Sequence, residues 1–239
     1  MEASGITYDF DRQSFFIVAN LQGALWEYDH DFTRLLRSLT LNAVDTDTEG
    51  AAYLGQGYLA VVAENNQVYV VGLDAAATTF DGQNGVTFTP AAPPAIANAG
   101  FEGLAYQQPS ATAAGQFFVC QEHQPMRVLR FADNGDRTPG AAFSALQGSL
   151  DVVEAWQADS VLSGQVSDLA GAAYDESNGT LLLVSQESSS VLRVSVETGS
   201  VLERLALSDT TTSEGVTLFD GCKLAVVSEP NRVQIYVPN

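Results

Sequence analysis

Three glutamates in this chain each stand directly before a glycine that opens a short apolar stretch. They are Glu49 in Glu49-Gly50-Ala51-Ala52-Tyr53, Glu102 in Phe101-Glu102-Gly103-Leu104-Ala105-Tyr106, and Glu214 in Glu214-Gly215-Val216-Thr217-Leu218. Two further copies carry Ser4 (Ser4-Gly5-Ile6-Thr7-Tyr8) and Ala170 (Ala170-Gly171-Ala172-Ala173-Tyr174) in the same place. Each copy is followed by an apolar run that ends in a polar residue: Asn20, Glu64, Glu122, Glu187 and Glu229. If these residues meet in space, their carboxylates cannot all stay ionised without compensation, because like charges raise one another's pKa. A cation solves this, and a flexible oxygen-only donor set suits the six to eight ligands of Ca²⁺ better than octahedral Mg²⁺.

Whether they meet depends on the elements that carry them. Strand-rich units repeating every 40 to 50 residues or so are the signature of a β-propeller. The expected fold is all-β: one five-bladed propeller over residues 1–239, each blade of four antiparallel strands. The blades fall at about 4–44, 45–99, 100–166, 167–209 and 210–239. In a propeller the first strand of each blade lines the central channel, and the antiparallel second strand returns to the same mouth. Ser4, Glu49, Glu102, Ala170 and Glu214 are therefore expected to form an inner ring holding one Ca²⁺. Asn20, Glu64, Glu122, Glu187 and Glu229 should lie around them as a ligand-binding rim, with Asp168, His123 and Arg127 nearby.

Plainer roles compete with these. The inner glutamates can cap strand ends through backbone amides. In the outer ring Glu122 precedes Arg127, Glu187 precedes Arg193 and Glu229 precedes Arg232 across short turns, which suits hairpin salt bridges. His123 follows Glu122 beside Pro125 and Arg127, where it serves either a structural role or as a general base. No Gly-rich phosphate loop, zinc spacing or nucleophile elbow occurs.

Composition narrows the partners. With 29 acidic against 10 basic residues and a formal net charge of -19, the chain repels nucleic acid and anionic membrane surfaces. No apolar run reaches the roughly 18 residues that a membrane-spanning helix needs. Direct membrane insertion is therefore not expected. The two cysteines, Cys120 and Cys222, fall in units that are not neighbours in a ring of five, and Cys120 ends a buried-looking run as an inert thiol. Lys223 is the only lysine, a composition that suits a secreted or saline setting.

Local signals fill in the blades. Residues 55–57, Gly-Gln-Gly, turn the second unit, residues 85–89 supply its outer strand, and 90–99 read as a loop. Asn178-Gly179 marks a two-residue hairpin turn in the fourth unit. The gap from Gly103 to Gly171 is too short for two full blades, so an insertion over residues 133–167 is expected, with a strand near 141–146 and a stretch of mixed periodicity at 150–156. The fifth unit lacks a fourth strand, so its blade either has three strands or is completed by a segment upstream of Met1.

In combination, the Ser-Gly, Glu-Gly, Phe-Glu-Gly-Leu-Ala-Tyr, Asp168-Leu169-Ala170-Gly171 and Ser213-Glu214-Gly215-Val216 units, with the closing Val227-Ser228-Glu229-Pro230-Asn231, resemble the SdiA-regulated family of bacterial β-propellers. That resemblance implies a propeller carried outside the cytoplasm, hence an extracellular or periplasmic location. The inner ring is also similar to the central calcium site of the calcium-activated nucleotidases, from which Ala170 departs where serine is usual. Two functions follow as expectations. One is a calcium-stiffened module binding a small molecule, glycan or protein; the other is a calcium-dependent hydrolase of phosphate esters or lactones.

Overall fold

A computed structural model describes residues 2–89, 100–123, 125–133, 135, 153–208 and 212–238. Its strands form five small sheets. The first contains β1 (Glu2–Asp9), β2 (Ser14–Asn20), β3 (Ala24–Asp29) and β4 (Leu35–Asn42). The second contains β5 (Thr48–Gly55), β6 (Tyr58–Ala63), β7 (Val68–Gly72) and β9 (Val86–Phe88), while β8 (Thr79–Asp81) leaves it to pair in parallel with β4 of the first. The third holds β10 (Phe101–Gln107), β11 (Gln116–Gln121), β12 (Arg127–Ala132) and β13 (Val153–Trp156), followed by the single helical turn α1 (Ala158–Val161). β14 (Gly171–Asp175), β15 (Thr180–Ser185), β16 (Ser190–Ser195) and β17 (Val201–Ala206) make the fourth. β18 (Ser213–Phe219), β19 (Lys223–Ser228) and β20 (Arg232–Tyr236) make a three-stranded fifth.

The five innermost strands close a ring, and the repeated glycines explain how. A Cβ on Gly5 would sit 2.7 Å from the carbonyl oxygen of Glu49, and one on Gly50 would sit 2.5 Å from that of Glu102. On Gly103 it would lie 2.9 Å from the Ala172 nitrogen, on Gly171 against the Glu214 carbonyl, and on Gly215 2.9 Å from the nitrogen of Ile6. Each glycine thus touches the backbone of the next inner strand, and the fifth returns to the first. None of the five has a positive φ, so close approach, not backbone freedom, demands glycine here. The protein is a five-bladed β-propeller, and the span between Gly103 and Gly171 holds an insertion, not a sixth blade.

There is one apolar core per seam between blades. Along β2, Phe16 and Val18 pack with Tyr53 and Val61 of the second blade, while Phe15 and Ile17 pack with Phe219 and Val227 of the fifth. β11 divides in the same way: Phe117 and Val119 face the second blade, Phe118 and Cys120 the fourth. Alternate side chains point to opposite sheet faces, and both faces are covered, so such strands read as unbroken apolar runs. Cys120 is fully buried, and burial pushes its thiol up to about 12; Cys222 is exposed and the two remain unbonded.

Several local expectations hold and others shift. β9 supplies the outer strand of blade two, and Gly55, Gln56 and Gly57 all turn with positive φ. The stretch at 150–156 yields β13, while 90–99 and 141–146 lie outside the described residues. The Asn178-Gly179 hairpin is longer than a two-residue turn: Asp175 pairs with Thr180, leaving four loop residues. The Asp175 carboxylate holds that loop by accepting the Ser177 N–H at 3.0 Å and the Asn178 Nδ2–H at 2.9 Å. Asp at a turn start favours this self-capped geometry over the tight one. No described helix is long and apolar enough to cross a membrane.

Candidate functional site

The register of the inner strands singles out the residues before the glycines. In β1 Ala3 pairs with Ala19 and Gly5 with Val18, leaving Ser4 as the extra residue of a bulge. The same shift leaves Glu49 between Thr48 and Gly50, Glu102 between Phe101 and Gly103, and Glu214 between Ser213 and Gly215. A bulge re-aims the side chain of its extra residue and interrupts the ladder. The fourth blade has no such shift: β14 starts at Gly171, and the N–H of Ala170 donates to the Val184 carbonyl at 3.0 Å. Thus the one inner-ring position without an oxygen-bearing side chain is also the one without a bulge.

Three carboxyls converge at this mouth. Glu49 and Glu102 are close enough to shift each other's pKa, and both are pushed well above the carboxylate range. Burial is the largest cause for each, followed for Glu49 by Asp47 and Glu64 and for Glu102 by Glu49 and Glu122. Glu214 is pushed up to about 7 by burial, then by Glu229, Glu122 and Asp168. The dominant influences on all three are therefore dehydration and other acids, not cationic side chains. A small cavity of about 10 Å³ on the axis touches Ser4, Glu49 and Glu214, and is the size of one water.

In the outer ring, Arg193 departs from the salt-bridge expectation. Glu122 pairs with its neighbour His123, Oε1 to Nε2 at 3.1 Å, and burial raises its pKa while the imidazole opposes the rise. Arg127 donates from Nε to Gln121 Oε1 at 2.5 Å. Arg193 reaches Asp175 and Glu203 instead of Glu187, because β16 pairs it across the sheet with Glu203 on β17. Glu64 lies against Gly100, where a Cβ would come within 3.1 Å of its Oε1 and closer to Oε2. Glu229 is raised by burial and by Glu2. The Oδ1 of Asn20 is buried without a hydrogen-bond partner among the described residues.

Asp168 is fully buried and serves as a hairpin cap. It accepts from the hydroxyl of Ser185 and from the backbone N–H groups of Gln186, at 2.9 Å, and Glu187, at 3.2 Å. Ser4 likewise spends its hydroxyl on the Thr48 carbonyl across the first seam.

As a fit for a metal ion, the donor chemistry and position are right and the spacing is not yet closed. All side-chain donors of the inner ring are oxygens, one acceptor nearby is orphaned among the described residues, and the chief influences on the three glutamates are burial and other acids. Among the described residues, however, no three His, Cys, Asp or Glu side chains stand at ligand separation.

A family model described as SdiA-regulated matches residues 1–236. The chain belongs to the SdiA-regulated family. Among solved structures, this SdiA-regulated propeller is similar to a luciferin-regenerating enzyme, with TM-score 0.53 and 13% identity over 95% of this chain and 83% of the other. It is also similar to a chain of a nidogen/laminin complex, with TM-score 0.54 and 11% identity over 95% and 72%. At such identities the likeness carries the fold alone.

Sequence reasoning overlooked the opposite mouth. There the tyrosines of the Gly-x-x-Tyr repeat, Tyr8, Tyr53, Tyr106 and Tyr174, line a cavity of about 300 Å³. The repeat itself carried the signal, since a residue three positions along an inner strand from the glycine lies towards the channel's other end.

Proposed function

We propose that this SdiA-regulated protein is a calcium-holding binding module whose acidic mouth presents a ligand surface stiffened by the ion. The observation that carries the reading is the cluster of the buried Glu49 with the half-buried Glu102 and Glu214, contributed by three blades and pushed up in pKa by loss of water and by neighbouring acids. Calcium would supply positive charge directly to the inner ring. Glu49, Glu102 and Glu214 would hold it, with Ser4 and the backbone at Ala170 completing the ring through hydroxyl, carbonyl or water oxygens. Glu64, Glu122, Glu187, Glu229 and Asn20 would surround it as the ligand-facing rim. A site of modest affinity suits an extracellular or periplasmic setting, where calcium is plentiful.

The test is thermal unfolding with calcium and with chelator, alongside metal analysis of the purified protein. Ligation across three blades turns binding into folding stability, about 2.7 kcal/mol at a hundredfold excess over Kd, or about 5–10 °C in Tm. Indifference to both additives, with no retained metal, would leave the glutamates as hydrogen-bonded strand caps.

A hydrolytic role has one observation in its favour, the Glu122–His123 pair at 3.1 Å, which can hold an imidazole in position as a general base. A screen of phosphate esters and lactones tests it; turnover that survives His123→Asn would remove that residue from the chemistry.

A further inference from the structure

The aromatic mouth has the dimensions and the charge of a ligand pocket in its own right. Its volume of about 300 Å³ falls in the range of small-molecule sites. Four inner strands deliver a tyrosine to it, the fifth delivers Leu218 and Phe219, and Phe10, 48% exposed, stands on the rim.

These rings are fixed before any ligand arrives. The Tyr53 hydroxyl donates to Asp11 at 2.7 Å and accepts the Gly57 N–H at 2.8 Å. That of Tyr106 donates to the Asp133 carboxylate at 2.6 Å. Tyr174 stacks on Phe118 with centroids 5.7 Å apart, and Tyr8 packs against Phe15 at 4.9 Å. The rings therefore offer faces more than free hydroxyls. Thr7 and Thr217, also in the wall, already accept the N–H groups of Tyr53 at 2.9 Å and Tyr8 at 3.2 Å. Groups engaged in this way are not free to bind a saccharide.

Its charge is lopsided. No lysine, arginine or histidine lines the cavity, whereas Asp175, Glu176 and Asp220 do. Two of the three are compensated from behind: Asp175 by Arg193, and Asp220 by His30 and Lys223, each at 2.9 Å. Glu176 accepts the Gln108 backbone N–H and has no cationic partner among the described residues. The cavity thus combines aromatic faces with one uncompensated carboxylate.

We infer that the mouth opposite the glutamate cluster binds a small organic monocation, a substituted ammonium compound, with Glu176 as its counter-ion and the tyrosines and Phe10 as its cation–π wall. Ammonium groups are attracted to aromatic faces most strongly when desolvated, and a surface of net charge -19 concentrates cations near it. This site is independent of calcium at the other mouth.

The experiment is calorimetric and NMR titration in chelator with choline, with its neutral carbon isostere 3,3-dimethylbutan-1-ol, and with methyl glucoside. Choline should bind, the isostere should bind about tenfold more weakly or worse, and rising salt should weaken choline alone. Glu176→Gln should cost choline about tenfold, and the exposed Phe10→Ala several-fold, with Tm close to the parent for both. Equal binding of the isostere, binding of the glucoside alone, binding unchanged by Glu176→Gln, or no binding at all would each overturn the inference.

Discussion

The two mouths of one channel are built from the same five inner strands, yet they handle charge in opposite ways. In the third blade Glu102 and Tyr106 are four residues apart, roughly 13 Å along a strand. At the glutamate end, acids stand close to one another, and burial and mutual repulsion push their pKa values up. At the tyrosine end, Asp11 and Asp133 accept phenol hydrogens and Asp175 and Asp220 have cationic partners behind the wall. A carboxylate tied to a donor is stable over a wide pH range, whereas one held beside another acid depends on protons or cations. Sensitivity to pH and to calcium should therefore belong to the glutamate mouth.

The largest expected effect abolishes the comparison by opening the ring that both mouths share. Gly103→Ala drives a methyl into the Gly171–Ala172 backbone and should cost about 3 kcal/mol, or roughly 6–12 °C in Tm, in calcium and in chelator alike.

Next comes the pH dependence. The folded-state pKa values of Glu49, Glu102 and Glu214 lie above the unfolded value, so folding favours their protonated forms. Their contribution to stability is present below the unfolded pKa of about 4.3 and is lost as pH rises through about 7 for Glu214 and higher for the pair. In chelator, Tm should fall between pH 5 and pH 9, and the calcium-induced increase should grow over the same interval. A calcium effect equal at both pH values would break the link between the ion and these acids.

Single carboxylates sharpen the assignment. Glu102→Gln keeps the shape and fixes the neutral form, so at pH 9 in chelator it should raise stability by about 1–2 kcal/mol and flatten the pH profile. The calcium response should shrink with it. Glu187→Gln, at a position whose carboxylate is not tied into the inner cluster, should change Tm by no more than about 0.5 kcal/mol equivalent and leave the calcium response intact.

The smallest effect concerns the aromatic end. Tyr53→Phe removes the bond to Asp11 and should cost about 1 kcal/mol in urea unfolding, equally with and without calcium. A calcium-dependent loss would mean that the two mouths are coupled.

Much of the architecture was legible because its causes are local and repeated. Every blade needs a glycine where inner strands touch and an apolar second strand buried on both faces, and four of the five place a bulge residue ahead of the glycine. Those demands appear as Gly5, Gly50, Gly103, Gly171 and Gly215, as Ser4, Glu49, Glu102 and Glu214, and as runs such as Phe117-Phe118-Val119-Cys120. The blade count and the convergence of the acids follow from that repetition.

What tertiary structure alone decided is which groups become partners. Arg193 turned to Asp175 and Glu203, Asp168 became the cap of a hairpin, and β8 crossed to the first blade. The effect of Glu49 on the pKa of Glu102, and the closing of four tyrosines into one cavity, likewise join residues from different blades. Sequence spacing measures distance along a strand, but a pKa or a pocket depends on distance and dehydration across seams, which exist only once the ring has closed.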